Sequence, residues 1–123
     1  MDKPEPYSTH LDPRFAPLEL VDLASVIKDV TDAWYNQTLC RVNDCLVRLG
    51  VAQGEAHWHR HEKQDEFFYV VEGHFIIELE DRTVELDPQQ GFTVPMGVMH
   101  RPRAPRKTIF LIVQGAGLQP TGT

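Results

Sequence analysis

The sequence predicts an all-β fold, a sandwich or a barrel of short strands, with one short helix near the N-terminus. From Thr38 onward, runs of β-branched and aromatic residues alternate with turn residues. About nine such runs at a spacing of roughly 8–12 residues are typical of a sandwich or a barrel. Apolar residues make up 41% of the 123 residues, which is enough to form the core of a single domain.

The candidate strands are bounded by glycine, proline, asparagine and aspartate, the usual turn residues. They cover residues 38–42, 45–52, 57–61, 66–71, 74–80, 83–86, 91–94, 98–102 and 107–113. If Asn43 and Asp44 form a two-residue turn, Cys45 faces Val42 and Cys40 faces Val47. The two cysteines are then not partners, and we expect free thiols.

The N-terminal region contains four of the nine prolines, at Pro4, Pro6, Pro13 and Pro17. Because proline interrupts helices, we predict an extended arm over residues 1–20. Leu23, Val26, Ile27 and Val30 then recur at helical spacing behind Asp22, which predicts a short amphipathic helix. The barrel domain is predicted over residues 21–115, and residues 116–123 are predicted to form a C-terminal tail.

Residues 66–80 predict a hairpin with its turn at Glu72-Gly73. In that register Val70 faces Phe75, Phe68 faces Ile77 and Glu66 faces Leu79. Glu66 is then a lone carboxylate on a face that is otherwise apolar. Since an unpaired buried carboxylate is costly, Glu66 should have a cation or a hydrogen-bond partner.

The opposite face of this hairpin carries Phe67 and Tyr69, and it is too apolar for a fully solvated surface. We expect it to be covered either by a second copy of the chain or by the N-terminal segment. The homodimer is the favoured alternative.

Three of the six histidines, His57, His59 and His61, follow one another at every second position. On a strand, their side chains point to the same side. His57 and His61 would lie roughly 13 Å apart, too far to share one metal ion. Neighbours in this series can share one, so the pattern leaves two pairs open, His57 with His59 or His59 with His61.

Two spaced motifs give the chain a family resemblance. From His59 the sequence reads H-x-H, four residues, Glu66, six residues and Gly73, and further on comes P-x-G-x-x-H, which ends at His100. In both blocks it resembles the cupin superfamily, and in particular its small single-domain members. The resemblance implies a double-stranded β-helix (jelly-roll) barrel. It also implies that a divalent metal is bound by His59, His61, Glu66 and His100.

These residue types suit a transition metal. Imidazole and carboxylate together favour a divalent ion such as Fe, Mn, Ni, Zn or Cu. The absence of cysteine from the set disfavours a structural zinc site. Four protein ligands on a six-coordinate ion leave two positions for water, substrate or oxygen. A metal with open positions can polarise a carbonyl group or activate a water molecule.

Three further residues are candidates for contact with a substrate. His57 would serve as a general acid or base if it lies near the ion without binding it. Arg101 and Arg103 follow the last predicted ligand, within a run of four basic residues. We predict that one or both reach the mouth of the pocket and pair with an acidic group of the substrate.

The favoured function is that of a metal-dependent enzyme, an isomerase or a dioxygenase, acting on a small polar molecule. Two alternatives stay open: a binding module without catalysis, and a domain in which the metal only braces the barrel. The formal net charge of -6 argues against a nucleic-acid partner. No apolar run approaches the roughly 18 residues of a membrane span, and the N-terminus lacks the apolar run of a signal peptide. We therefore expect a cytoplasmic protein without a membrane partner.

Overall fold

The structure, a computed structural model, describes residues 7–116. Within this range the chain forms one short helix and eight strands, as predicted for an all-β fold. The elements are β1 (Tyr7–His10), α1 (Leu23–Ile27), β2 (Trp34–Val42), β3 (Cys45–Glu55), β4 (Glu66–Glu72), β5 (Phe75–Leu79), β6 (Thr83–Leu86), β7 (Gly91–Val94) and β8 (His100–Gly115). No helix among these residues is long and apolar enough to span a membrane.

The strands form a jelly-roll barrel whose two halves share the long strand β8. One half has the strand order β1-β2-β3-β8-β4-β7. In the other half, β5 pairs with both β6 and β8. Strand β8 bonds to β5 over residues 100–103 and to β4 over residues 109–114, while β3 runs along most of its length. The two halves of the barrel therefore meet along β8.

Two apolar clusters lie on opposite sides of this sheet. The inner cluster fills the barrel and includes Phe68, Phe75, Ile77 and Phe110. The outer cluster includes Val26, Leu39, Leu49, Val51 and Ile109, with Phe15 and Leu23 packed against it. Helix α1 and the segment before it thus cover the outer face of β2, β3 and β8. Strand β3 is buried on both faces for this reason.

The predicted turn at Asn43-Asp44 and the alternation along β4 are confirmed. Val42 pairs with Cys45 and Cys40 pairs with Val47, and both cysteines are free thiols. Glu66, Phe68 and Val70 are buried, whereas the residues between them are more exposed. These patterns are local, so the alternation of side chains along one strand was enough to predict them.

The predicted hairpin between residues 66–71 and 74–80 is wrong. Strand β4 pairs with β7 and β8, and β5 pairs with β6 and β8. Gly73, with a φ of 102°, carries the chain from one half of the barrel to the other. A Cβ on Gly73 would come within 2.7 Å of Thr108 Cα, so β8 occupies the space beside the turn. The inward faces of β4 and β5 were nevertheless predicted correctly.

The two strands predicted over residues 98–102 and 107–113 are one continuous strand, β8. Proline lacks an amide hydrogen and is uncommon inside strands, yet Pro102 and Pro105 both lie within β8. Pro102 contributes its carbonyl group instead, which accepts a hydrogen bond from Ala56 N–H at 2.9 Å. Pro105 falls where the register between β3 and β8 shifts, a position that needs no ladder hydrogen bond.

Other boundaries also differ from the prediction. Residues 57–61 form no strand. Within this segment His59 alone makes a backbone bridge, to His100. Strand β2 starts at Trp34, and α1 is five residues long with no side-chain cap from Asp22. The predicted extended arm contains β1, which pairs in parallel with β2. Residues 1–6 of that arm and 117–123 of the predicted tail lie outside the described residues.

Candidate metal centre

Backbone pairing brings the first and last predicted ligands together. His59 N–H donates to the carbonyl oxygen of His100 at 3.0 Å, and His100 N–H donates to that of His59 at 2.9 Å. Their imidazole ring centres lie 4.4 Å apart. One isolated bridge between a loop and the start of β8 thus positions two histidines that are distant in sequence.

Hydrogen bonds also connect the loop that carries His61 with the turn that precedes His100. Gly97 N–H donates to the carbonyl oxygen of His61 at 2.7 Å, and Met96 N–H donates to Asp65 Oδ1 at 2.9 Å. Gly97 has a φ of 81°, a left-handed conformation that favours glycine. The P-x-G-x-x-H motif therefore forms the turn that holds His61 as well as supplying His100.

The structure brings together His59, His61, Glu66 and His100. One nitrogen or oxygen atom of each lies within 4.8 Å of those of the other three. Glu66 Oε1 is 3.4 Å from both His61 Nε2 and His100 Nε2. His61, Glu66 and His100 are buried, and His59 is partly exposed. Glu66 enters the cluster from the inward face of β4, as the alternation along that strand predicted.

The donor atoms of this cluster fit a metal ion. His59 Nδ1 lies 3.0 Å from the His57 carbonyl oxygen, and His100 Nδ1 lies 2.9 Å from that of Val98. Because a carbonyl oxygen can only accept, each Nδ1 carries the proton, and each Nε2 presents a lone pair. His61 Nε2, Glu66 Oε1 and His100 Nε2 are buried without a hydrogen-bond partner among the described residues. Buried orphan atoms of this kind are costly, and a bound cation would satisfy them together.

The charge states suit the same interpretation. Burial lowers the pKa of His59 to about 4, so this imidazole is neutral at pH 7. Burial alone would raise the pKa of Glu66, but the neighbouring imidazoles of His100 and His61 outweigh it, and its pKa lies below the ordinary value. A neutral imidazole beside a carboxylate is the combination that a divalent metal requires.

A pocket of about 540 Å³, including its open mouth, lies beside the cluster. His59 and Glu66 form part of its wall, and three phenylalanines of the inner cluster form another part. Those phenylalanines are Phe68, Phe75 and Phe110. The pocket is therefore largely apolar with a few polar groups, which is the usual character of a small-molecule site.

His57 also lines this pocket, but it lies outside the four-residue cluster. Its Nδ1 is 3.0 Å from Tyr7 Oη, and its ring centre is 5.0 Å from that of His59. Tyr7 belongs to β1 and lines the pocket as well. This arrangement matches the prediction that His57 lies near the site without being a ligand. Its catalytic role stays a prediction.

Arg101 and Arg103 lie on the other side of β8 from His100 and Pro102, which are buried in the barrel. Both donate hydrogen bonds to Glu78 on β5, and Arg101 also contacts Glu55. The described residues that line the pocket include neither arginine. Their predicted role in substrate binding stays a prediction, and the geometry gives it no support beyond proximity to His100.

Several residues of the pocket were not identified from the sequence. Asn36 and Tyr7 line it, and Arg48 is buried in the barrel behind Asn36. Arg48 lies in a predicted strand, but no role or burial was predicted for its side chain. Only the folded barrel brings Asn36 and Tyr7 to the same pocket as Glu66.

Comparison with known proteins identifies the family of this chain. A cupin-domain family model matches residues 45–114. The uncharacterized protein YdbB of Bacillus subtilis is 34% identical over 97 residues, which are 78% of this chain and 86% of YdbB. A cupin-2 domain protein of Shewanella frigidimarina is 26% identical with a TM-score of 0.74, over 78% of this chain and 94% of that chain. KdgF of a Halomonas species is 25% identical with a TM-score of 0.63, over 72% and 84% of the two chains. The chain therefore belongs to the cupin-domain family.

Proposed function

We propose that this protein binds one divalent transition metal through His59, His61, Glu66 and His100 and acts on a small polar molecule in the adjacent pocket. The reaction class that we favour is isomerisation or dioxygenation, with Fe, Mn, Ni, Zn or Cu as the metal. When bound, such a metal would act as a Lewis acid or supply an open coordination position.

The observation that carries this proposal is the convergence of unsatisfied buried atoms. His61, Glu66 and His100 each present an orphan atom, and the Nδ1 hydrogen bonds of His59 and His100 direct both Nε2 atoms away from the backbone. A purely structural cluster would satisfy these atoms within the protein. The position of His59 and Glu66 on the pocket wall favours a metal that a ligand can reach.

The surrounding side chains define what the protein itself contributes. Phe68, Phe75 and Phe110 exclude water from the inner part of the pocket and strengthen the electrostatic interactions there. His57 can hold or release a proton at Nε2 while its Nδ1 stays near Tyr7 Oη. The site therefore combines a histidine that can transfer a proton, at the pocket wall, with an apolar interior that excludes water.

The proposal is tested by turnover of sugars, keto acids and catechols by protein loaded in turn with each candidate metal. We expect at least one combination to give product, and His57→Gln to lower turnover without changing the metal content. His10→Gln is the matched control, since His10 is an exposed histidine of β1. Reversible binding without product would support the alternative of a binding module. Metal that raises stability while no added molecule binds would support a structural role.

The outward face of β4 and β8 supports a second proposal, that the protein is a homodimer. Phe67, Val71 and Val113 are 36%, 40% and 37% exposed, and Phe67 pairs in register with Val113. Helix α1 covers a different part of the outer surface, around Leu49. Light scattering should give twice the mass of one chain for the wild type. The Phe67→Glu variant should give the mass of one chain. A wild-type mass equal to one chain contradicts the dimer.

A further inference from the structure

Arg48 is buried in the barrel, and its guanidinium group forms no ion pair within the described residues. Arg48 on β3 is 0% exposed. It donates hydrogen bonds to Thr38 Oγ1 and Asn36 Oδ1, both of which are neutral groups. Its Nε has no hydrogen-bond partner, and none of the ion pairs within residues 7–116 involves it. Burying an unpaired charge is costly, so a compensating anion should lie near it.

Arg48 remains positive under physiological conditions. Burial lowers its pKa to about 10, and the nearby charge of Glu66 acts in the opposite direction. Glu66 lies too far away for an ion pair with the guanidinium group, and its Oε1 faces His61 and His100 instead. If a metal ion is bound, the carboxylate of Glu66 is engaged by that ion. Glu66 then cannot compensate the arginine.

Asn36 connects this buried charge to the pocket. It lines the same pocket as His59 and Glu66. Because its Oδ1 accepts a hydrogen bond from Arg48, the amide nitrogen Nδ2 is the atom left to face a molecule in the pocket. A positive group behind an amide makes that amide a stronger donor to an anion.

The charges of the pocket favour the same ligand class. Glu66 is the one carboxylate among the described residues that line the pocket. A divalent ion would bring two positive charges to it, and Arg48, which contacts Asn36 from behind the pocket, adds a third. One carboxylate leaves the loaded site with an excess of positive charge, and a small anion would reduce it.

We propose that the pocket takes a small organic acid whose carboxylate accepts hydrogen bonds from the Asn36 amide, with Arg48 as the positioning residue that orients and polarises this amide. The rest of the molecule would face His59 and the metal site. This inference rests on the proposed function, since it uses the same pocket and narrows its ligand to a carboxylate.

The first experiment compares lactate with lactamide by titration calorimetry on metal-loaded protein. The two molecules have nearly the same shape and differ in charge. Because a hydrogen bond to a carboxylate is stronger than one to a neutral carbonyl group, lactate should bind roughly tenfold or more tightly than lactamide. Equal affinities would overturn the proposal. Binding of inorganic phosphate but not of lactate would overturn the assignment to a carboxylate.

A direct affinity of lactate for the metal would give the same preference, so a variant is needed. Asn36→Asp places a carboxylate against Arg48, which neutralises the arginine and repels an anion without changing side-chain size. We expect lactate affinity to fall roughly tenfold or more and lactamide affinity to fall less, because lactamide has no charge for the new carboxylate to repel. Asn43→Asp makes the same substitution at the exposed β2–β3 turn and should change neither.

Metal content measured on the same samples separates the two proposals. Wild-type protein that holds no metal contradicts the proposed function. If wild-type protein holds metal and Asn36→Asp binds lactate as tightly as wild type, the inference about Arg48 and Asn36 is wrong while the metal site stands. Arg48→Gln provides a second variant, with the same expected loss of lactate affinity.

Discussion

The ring of Phe110 lies directly against Gly50, across the pair of β3 and β8. A Cβ on Gly50 would come within 2.3 Å of the ring, and the two residues are partners in the register. This close contact lets an aromatic ring fill the barrel between the pocket and β3. The size of residue 50 therefore controls the position of one pocket wall.

Gly50→Ala should destabilise the protein by about 1–3 kcal/mol, because the added methyl group overpacks the barrel. The measurement is denaturant unfolding followed by circular dichroism. Phe110→Leu removes the ring edge that the methyl group meets, so the double variant should lose less stability than the sum of the two single variants. Additive losses would contradict this explanation.

Gly97→Ala should weaken both stability and metal binding. The residue has a φ of 81°, and a Cβ there would meet no atom within 4 Å, so the cost of about 1–2 kcal/mol comes from the backbone conformation alone. Its N–H holds the His61 carbonyl group, so a distorted turn also displaces a ligand. Unfolding curves and metal titration measure the two effects.

Gly54→Ala is the matched control for this substitution. Gly54 also has a positive φ, 104°, and lies in β3, outside the turns that carry the ligands. It should lose stability to a similar extent and keep its metal affinity. An equal loss of metal affinity in both variants would show that Gly97 has no special role.

The stability contributed by His74 should depend on pH. Hydrogen bonds with Glu85 and Asp87, both at 2.8 Å, raise the pKa of His74 above its ordinary 6.5. A raised pKa in the folded state means that the folded protein holds the proton more tightly than the unfolded chain. The contribution is therefore fully present below pH 6.5 and is lost as the pH rises through the folded-state pKa.

Thermal unfolding of wild type and His74→Gln across this range measures the effect. The difference in free energy of unfolding should shrink as the pH rises above 6.5. Replacing both acids, Glu85→Gln with Asp87→Asn, should leave a histidine whose contribution no longer changes with pH. A wild-type advantage that grows with pH has the opposite sign and contradicts the assignment.

Divalent metal should raise the melting temperature, because it binds the folded site and compensates its orphan atoms. At a metal concentration one hundred times the dissociation constant, the free energy of unfolding should increase by about 2.7 kcal/mol. This corresponds to a rise in melting temperature of roughly 10 °C for a domain of this size. Chelation should reverse the shift. An increase of the same size in Glu66→Gln would mean that the metal binds elsewhere.

Much of the candidate site could be predicted because its signals are local. The motifs around His59 and His100 carry the resemblance to cupins, and that resemblance implied the four residues that the structure brings together. Alternation along β4 correctly predicted that Glu66 points inward. The position of Glu66 on an otherwise apolar strand face was enough to predict a buried carboxylate with a cation or a hydrogen-bond partner.

The sequence could not predict contacts that depend on closure of the barrel. The turn at Gly73 suggested a hairpin, yet β4 and β5 pair with different parts of β8. The burial of Arg48 was not predicted, because it depends on contacts of β3 with strands that are distant in sequence. The contribution of Tyr7 to the pocket depends on the parallel pairing of β1 with β2.

The most direct test of the central claim is elemental analysis of purified protein after loading with each candidate metal and removal of excess ion. The account predicts about one ion per chain in the wild type and a loss of affinity of about 100-fold or more in Glu66→Gln. Glu80→Gln, at an exposed glutamate outside the site, should bind like wild type. A wild-type protein that retains no ion, or a Glu66→Gln variant that retains as much as wild type, would contradict the account.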